Sequence, residues 1–436
     1  MSILTIAASD SGSGAGIQAD LLTLAAFGFQ GVCAVTAVTS QSPREVKEVL
    51  TLPSGVVADQ IQTAVEDYRV EWAKTGMLAT QEIVGVVVEL VKRYRLKVVV
   101  DPVLKATSGA LLLEKPALRT LKEELLPLAV AVTPNRGEAE VLSGIKIRDR
   151  LDAERAARVI GSLGVEAVIV KGGHTDGVDL LYQSEDGFTY LGERGHLREC
   201  HGTGCVYSAA LTAGLAMGSD FVEAAALARD FVAQAVLGAR NQQVFPLHQT
   251  LRERENFRAL ESVKKGVELL EENPYFYFLI PEVGSNLAVA PAHASTPAEV
   301  AAVQGRIVKY RGRPKAVGCP ELGASSHIAR IVLTAMKYDP QVRACLNIKY
   351  TPETLEACRK LGLTISSFYR GEEPPETSTM EWGVSYAVQS LGGVPQVIYD
   401  TGDLGKEAMI RILGKNGVEV AETAVRIAEK EKEQKK

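Results

Sequence analysis

Apolar residues in the first 240 positions come in two alternating rhythms. Short continuous runs at 3–7, 32–39, 98–101, 129–133 and 167–171 are rich in Val, Ile and Ala and too short for helices. Between and beside them, residues 16–27, 56–68 and 84–91 show the spacing of helices with buried faces. Strand and helix in alternation predict a mostly parallel sheet covered by helices. Ligands of such sheets collect at the carboxyl ends of the strands, where Asp101, Asn135 and Lys171 fall.

The rhythm changes near residue 250. Leu251, Phe257, Leu260, Val263, Val267 and Leu270 recur at helical spacing among Arg, Lys and Glu, and Asn273-Pro274 stops the helix. Pro281, Pro291, Pro297 and Pro314 then punctuate a second α/β pattern, with no repeat of the first half. The Lys/Glu-rich tail after Ala428 reads as a solvated helix end or a disordered segment. Two domains follow, 1–250 and 251–436, and 436 residues exceed one ordinary core.

Composition narrows the function classes. At 46% hydrophobic, 23% charged and net charge -5, the chain is globular and ill suited to nucleic acid, which calls for surplus Lys and Arg. No apolar run is long enough to span a membrane, and no charged leader precedes the first strand, so a cytoplasmic setting is expected. The six cysteines form no C-x-x-C pair, which argues against a zinc site or disulfide framework.

Candidate chemistry lies at the strand ends. His201-Gly202-Thr203-Gly204-Cys205 opens a helix of small apolar residues, so close-approaching backbone amides and a positive helix end can face an anion. A glycine-rich cap on a core helix is the plainer alternative. Lys171, before Gly172-Gly173-His174, suits a nucleotide phosphate, or is a surface lysine in a turn. Thr133-Pro134-Asn135-Arg136-Gly137-Glu138 offers Asn135 and Glu138, and carboxylates from separate strands (Asp101, Glu138) suit magnesium. Glu138 fits a helix-start acid equally well. The Ser11-Gly12-Ser13-Gly14-Ala15-Gly16 loop lacks the dinucleotide-binding spacing, and no P-loop motif occurs. Its glycines are expected to let a flat substrate lie against backbone.

Together with Ser9-Asp10-Ser11-Gly12, Ala15-Gly16-Ile17-Gln18-Ala19-Asp20, Gln41, Lys74-Thr75-Gly76-Met77-Leu78 and Asp101-Pro102-Val103, these motifs resemble the ribokinase-like superfamily. The closest likeness is to its hydroxymethylpyrimidine and hydroxymethylpyrimidine-phosphate kinases, over residues 1–246. The resemblance implies a ribokinase-like three-layer α/β sandwich, ATP as phosphoryl donor and Mg2+. It implies Ala15, Asp20, Gln41 and Met77 at the pyrimidine, with Gln41 hydrogen-bonded to it and Met77 packed on its face. Asn135, Lys171 and Thr203 would meet the nucleotide, Asp101 and Glu138 the metal, and Gly202, Thr203 and Gly204 the transferring phosphoryl group. Cys205 stands where many members place an aspartate base, and a thiol at a helix start can have a lowered pKa; packing alone is the other reading. Ala8 departs from the glycine common in the family, and its methyl is expected to narrow substrate choice.

In the second half, Gly323-Ala324-Ser325-Ser326-His327 followed by Arg330 would suit a phosphate or diphosphate at a helix start, with Arg306 approaching from another segment. A plain Ser325 or Ser326 cap beside an ordinary His327 is the alternative. With Ile280-Pro281-Glu282-Val283-Gly284-Ser285-Asn286, Asn347-Ile348-Lys349-Tyr350, Thr379-Met380-Glu381-Trp382-Gly383 and Gly402-Asp403-Leu404-Gly405-Lys406-Glu407, it resembles the archaeal-type thiamine-phosphate synthase domain, a smaller α/β unit. That resemblance implies condensation of hydroxymethylpyrimidine diphosphate with thiazole phosphate. The preferred diphosphate-side residues are Arg306 and His327. The competing readings are a pyridoxine-type kinase, or a kinase carrying a thiamine-phosphate-sensing domain. Partners are then small molecules, without nucleic acid or membrane, and a homo-oligomer is expected.

Overall fold

The short apolar runs become the parallel centre of a nine-stranded sheet in the first of two units, Met1–Thr250 and Leu251–Lys436. The computed structural model describes residues 2–105, 112–172, 177–192, 200–373, 379–403 and 405–434. Gly173, His174 and Leu404, which belong to motifs named above, lie outside them.

The strands of the first unit are β1 (Ser2–Asp10), β2 (Gln30–Gln41), β3 (Val46–Thr51), β4 (Trp72–Thr75), β5 (Lys97–Val100), β6 (Ala129–Val132), β7 (Ala167–Val170), β8 (Asp179–Gln183) and β9 (Gly187–Leu191). Their order is β3-β2-β1-β4-β5-β6-β7-β8-β9. From β2 to β7 neighbours run parallel, whereas β3, β8 and β9 join antiparallel at the edges. The helices are α1 (Gly16–Ala26), α2 (Ser54–Tyr68), α3 (Gln81–Tyr94), α4 (Lys115–Thr120), α5 (Arg136–Ser143), α6 (Arg150–Gly161), α7 (Thr203–Ala216) and α8 (Phe221–Leu237).

Strand β5 shows why three layers form. Val98 and Val100 join the core with α2 to α6 on one face, while Val99 joins the core with α1, α7 and α8 on the other. A strand buried on both faces is apolar at every position, which is why these runs showed no alternation.

The second unit starts from the amphipathic helix α9 (His248–Glu272). Its strands are β10 (Leu287–Val289), β11 (Ala301–Val303), β12 (Ile307–Tyr310), β13 (Arg313–Ala316), β14 (Pro320–Leu322), β15 (Ala344–Lys349), β16 (Ile365–Ser367), β17 (Val397–Asp400) and β18 (Met409–Gly414). A seven-stranded sheet, β14-β11-β10-β15-β18-β17-β16, is antiparallel except between β16 and β17, and β12 pairs with β13 separately. Helices α10 (Ser326–Tyr338) and α12 (Thr379–Leu391) pack on one face. Helices α9, α11 (Pro352–Lys360) and α13 (Gly417–Gln434) pack on the other. The Lys/Glu-rich tail continues α13 to Gln434, because Val420, Ala424, Ile427 and Ala428 keep a buried stripe beneath its charges.

Each unit has its own cores, so fragments cut after Pro246, just before α9, are expected to unfold cooperatively on their own. Denaturant titration of the separately expressed pieces checks this; insoluble or non-cooperative fragments would contradict the two-domain division.

Candidate active site

A cavity of the first unit sits at the carboxyl ends of the parallel strands and has a volume of about 390 Å³. Ala15, Gln41, Met77, Asp101, Asn135, Glu138, Lys171, Gly202, Thr203, Gly204 and Cys205 all line it. Elements distant in sequence meet there because β1, β4, β5, β6 and β7 end side by side.

Glycines draw the walls together. Gly202 has φ +93° and begins α7, and a Cβ there would lie 1.7 Å from the carbonyl oxygen of Gly14. At Gly16, with φ +58°, a Cβ would lie 2.3 Å from the Ala8 carbonyl oxygen. The loop glycines therefore serve close backbone packing against the final turn and β1, in addition to any contact with substrate. Asp10 organises the same loop. Its carboxylate accepts the amides of Gly12 (2.8 Å), Gly14 (3.1 Å) and Ala15 (2.8 Å), and meets His201 Nε2 at 3.1 Å. Burial opposes its charge, but the His201 hydrogen bond and the amides hold the Asp10 carboxyl below its ordinary value. Gln41 Nε2 lies 3.2 Å from the same imidazole nitrogen. The sequence motifs that contain Asp10 and His201 do not by themselves indicate this contact.

Opposite, Lys171 Nζ meets Asp101 at 3.1 Å, and Asp101 also accepts from Thr133 and Ser208, each at 3.3 Å. Burial works against the Lys171 charge, yet the Asp101 and Glu138 carboxylates keep the ammonium protonated above its usual range. Glu138 is indeed a helix-start acid: it receives the Asn135 amide (2.8 Å), while Asn135 Oδ1 receives its own (2.9 Å), a reciprocal cap on α5. It also faces the cavity. Burial raises its pKa, and the Asp101 charge adds to the rise against the opposing Lys171.

Two expectations need correction. Asp20 does not line the cavity. It lies fully buried, accepting Lys74 Nζ at 2.8 and 2.9 Å and the Thr5 hydroxyl at 2.6 Å, and so braces α1 against β1 and β4. Nor is the Cys205 pKa lowered. Desolvation pushes the thiol up to about 12, outweighing the Lys74 charge and the Gly16 amide. The helix start is there, but Cys205 sits half-buried in the cavity wall, where desolvation outweighs it.

In the second unit, His327 is exposed near the start of α10, and the N-cap Ser325 makes no side-chain capping bond. Partial desolvation, then the charges of Arg411, Arg370, Arg306 and Arg330, hold its pKa below the ordinary value. His327 is therefore a neutral hydrogen-bonding group at pH 7. The Arg306 guanidinium donates to the Val283 carbonyl from a residue at φ +142°. Glu407 ties the 280s loop down by accepting the Glu282 (3.0 Å) and Val283 (3.3 Å) amides, and Asn347 accepts the Asn286 amide at 2.7 Å. Several of the synthase-like motifs are thus one linked set of loops.

The comparisons with known proteins agree with this geometry. The profile described as phosphomethylpyrimidine kinase matches residues 10–248, and that described as thiamine-phosphate synthase ThiN matches 262–426. The hydroxymethylpyrimidine/phosphomethylpyrimidine kinase of Rhizobium meliloti is 40% identical over 245 residues, covering 55% of this chain and 92% of its own. The ADP complex of Bacillus subtilis pyridoxal kinase superposes with TM-score 0.50 at 36% identity, covering 54% of this chain and 91% of its own. The bifunctional thiamine biosynthesis protein ThiDN of Methanocaldococcus jannaschii is 35% identical over 422 residues, 96% of either chain. The chain thus belongs to the phosphomethylpyrimidine kinase family and, along its whole length, to the bifunctional thiamine biosynthesis proteins. It is an enzyme with a ribokinase-like kinase domain and a thiamine-phosphate synthase domain. Among the described residues, no helix is long and apolar enough to cross a membrane.

Two outcomes test the geometry. Asp20→Ala strands a buried ammonium, so urea unfolding should show a loss of about 3–5 kcal/mol in the kinase unit; an unchanged midpoint would contradict the bracing role. Alkylation of Cys205, followed by peptide mass spectrometry, should accelerate about tenfold per pH unit from pH 7 to 10 without levelling, since the thiolate is the reactive form. A plateau near pH 7 would mean a lowered pKa.

Proposed function

We propose that the first unit phosphorylates 4-amino-5-hydroxymethyl-2-methylpyrimidine and then its monophosphate with ATP, and that the second joins the resulting diphosphate to thiazole phosphate, releasing diphosphate. The observation that carries the kinase reading is the meeting of Lys171, Asp101 and Glu138 with the Gly202-Thr203-Gly204-Cys205 turn in one cavity. Lys171 and the free amides at the start of α7 oppose the charge of the donor phosphates, with Asn135 and Thr203 beside them. Phosphoryl transfer requires little else from a protein.

Asp101 and Glu138 are the metal-side pair. Burial raises the Glu138 pKa and the Asp101 charge adds to it, so a divalent cation between the two carboxylates would be favoured. Among the described residues no cluster of three metal-ligating side chains occurs, and two carboxylates suit magnesium, which keeps water and phosphate oxygens as further ligands. When bound, magnesium would spread charge over the donor phosphates.

Gln41, Ala15 and Met77 form the pyrimidine side. The Ala8 methyl reaches the same cavity, in a small apolar cluster with Met77, Ala37 and Ala79, and supports a narrow choice of ring. With burial raising its pKa, Cys205 stays a thiol at pH 7; it positions the acceptor hydroxyl, whose proton passes to an oxygen of the transferring phosphoryl group as the new bond forms. In the second unit Arg306 and His327 take the diphosphate side, His327 as a neutral hydrogen-bond partner. The full-length likeness to a two-domain thiamine biosynthesis protein favours the pyrimidine over pyridoxine as substrate. Substrates of this class, small and water-soluble, fit a cytoplasmic setting.

Lys171→Ala and Glu138→Gln should each lower pyrimidine phosphorylation by about a hundred- to a thousand-fold. The glutamine preserves the α5 cap, so thermal unfolding stays near that of the unmutated chain. Coupled ADP-release assays on the pyrimidine alcohol, with pyridoxine in parallel, measure this. Turnover near normal in both variants would contradict the site, and preference for pyridoxine would contradict the substrate.

A further inference from the structure

Strand β18 carries a charge where its pattern calls for none: Met409-Ile410-Arg411-Ile412-Leu413. Arg411 is buried, with its guanidinium 5.4 Å over the Phe368 ring, and Nη1 meets Asp400 at 2.7 Å. That contact is an ion pair, and neither Nη1 nor Nη2 makes a well-directed hydrogen bond. The same carboxylate clamps Arg370, through Nε at 2.7 Å and Nη2 at 3.2 Å. Side-chain exposures are 8% for Arg370, 1% for Arg411 and 0% for Asp400.

Two guanidiniums thus share a single carboxylate, in a place nearly stripped of water. Each desolvated ion costs several kcal/mol unless compensated, and one carboxylate offsets only one of two cations. The surplus positive charge is a standing cost that an arriving anion would remove. Arg411, sealed on all sides, cannot itself touch a ligand. Arg370 can, because Asp400 engages Nε and Nη2 and leaves Nη1 outside that clamp, on the side chain that keeps the most exposure of the three, 8%. Asp400 stays ionised despite burial, since the Arg370 hydrogen bonds and the Arg411 charge hold its pKa below the usual range.

We propose that Arg370 binds a diphosphate group in the second unit, and that Asp400 and Arg411 are positioning residues, one fixing the plane of the Arg370 fork and the other supplying charge from behind. A clamped planar fork suits two phosphate oxygens at once. The choice of diphosphate over another anion rests on the synthase reading above.

The test uses the full chain and a local reporter. The sequence has two tryptophans, and Trp382 packs edge-on against Phe368 at 5.9 Å, one ring from Arg411. In a Trp72→Phe background, which removes the kinase-unit signal, inorganic diphosphate should change Trp382 fluorescence saturably. Arg370→Met should weaken that binding at least about tenfold, the effect of losing a charged hydrogen bond, with Arg370→Lys recovering part of it. Arg411→Met should weaken it less, while kinase turnover is unchanged in all three. Absence of a saturable response, or unaltered affinity in Arg370→Met, would overturn the proposal and leave the cluster a structural ion pair. Thiamine phosphate formation from preformed substrates is measured in parallel on the unmutated chain. Activity there with Arg370-independent diphosphate binding sinks only this inference; Arg370-dependent binding without activity sinks only the synthase reading.

Discussion

A single carboxylate sets the shape of the kinase site. Asp10 gathers three loop amides and the His201 imidazole, and so fixes the loop after β1 against the turn before α7. Neither segment could approach the other with side chains at Gly14 or Gly202, where added Cβ atoms would overlap neighbouring atoms. With the loop and turn locked, the ends of β4 to β7 bring Asp101, Glu138 and Lys171 to face the same space. Beneath it, the Lys74–Asp20 pair carries the charge that supports the floor, without reaching the cavity itself.

The two units handle charge in opposite ways. In the kinase unit, the described lysines of the site are each matched by a carboxylate: buried Lys74 by Asp20, half-buried Lys171 by Asp101. Close pairing leaves little net charge at the site, which fits the proposed binding of a divalent cation together with phosphate. In the synthase unit, Asp400 is outnumbered by Arg370 and Arg411, and Arg306 and Arg330 press further on His327. The first arrangement is suited to a metal–nucleotide complex, the second to a bare anion. That contrast matches a chain in which one half builds a diphosphate and the other half uses it.

Much of this was legible before any coordinates. Buried parallel strands announce themselves as unbroken Val and Ile runs, and strand ends in such a sheet are where charged residues matter, so Asp101, Asn135 and Lys171 stood out. The edge strands β3, β8 and β9 were not legible, since short polar hairpins carry little periodic signal. Asp20 was misplaced because its motif gives no hint of which way a helix turns; only packing shows it aimed at Lys74. The two readings of the Cys205 thiol could not be separated for a related reason, since position at a helix start is visible in sequence and desolvation is not. Arg370 belongs to no motif, but Arg411 offered a usable clue: a lone arginine in an otherwise apolar run implies a buried charge in search of partners.

The central claim, that one chain makes and then consumes a pyrimidine diphosphate, is tested most directly by supplying the full-length protein with ATP, magnesium, the pyrimidine alcohol and thiazole phosphate. Products are followed over time by mass spectrometry. The account predicts pyrimidine monophosphate, then its diphosphate, then thiamine phosphate with inorganic diphosphate, in that order. Accumulation of the pyrimidine diphosphate without thiamine phosphate, or no phosphorylation of the alcohol at all, would contradict it.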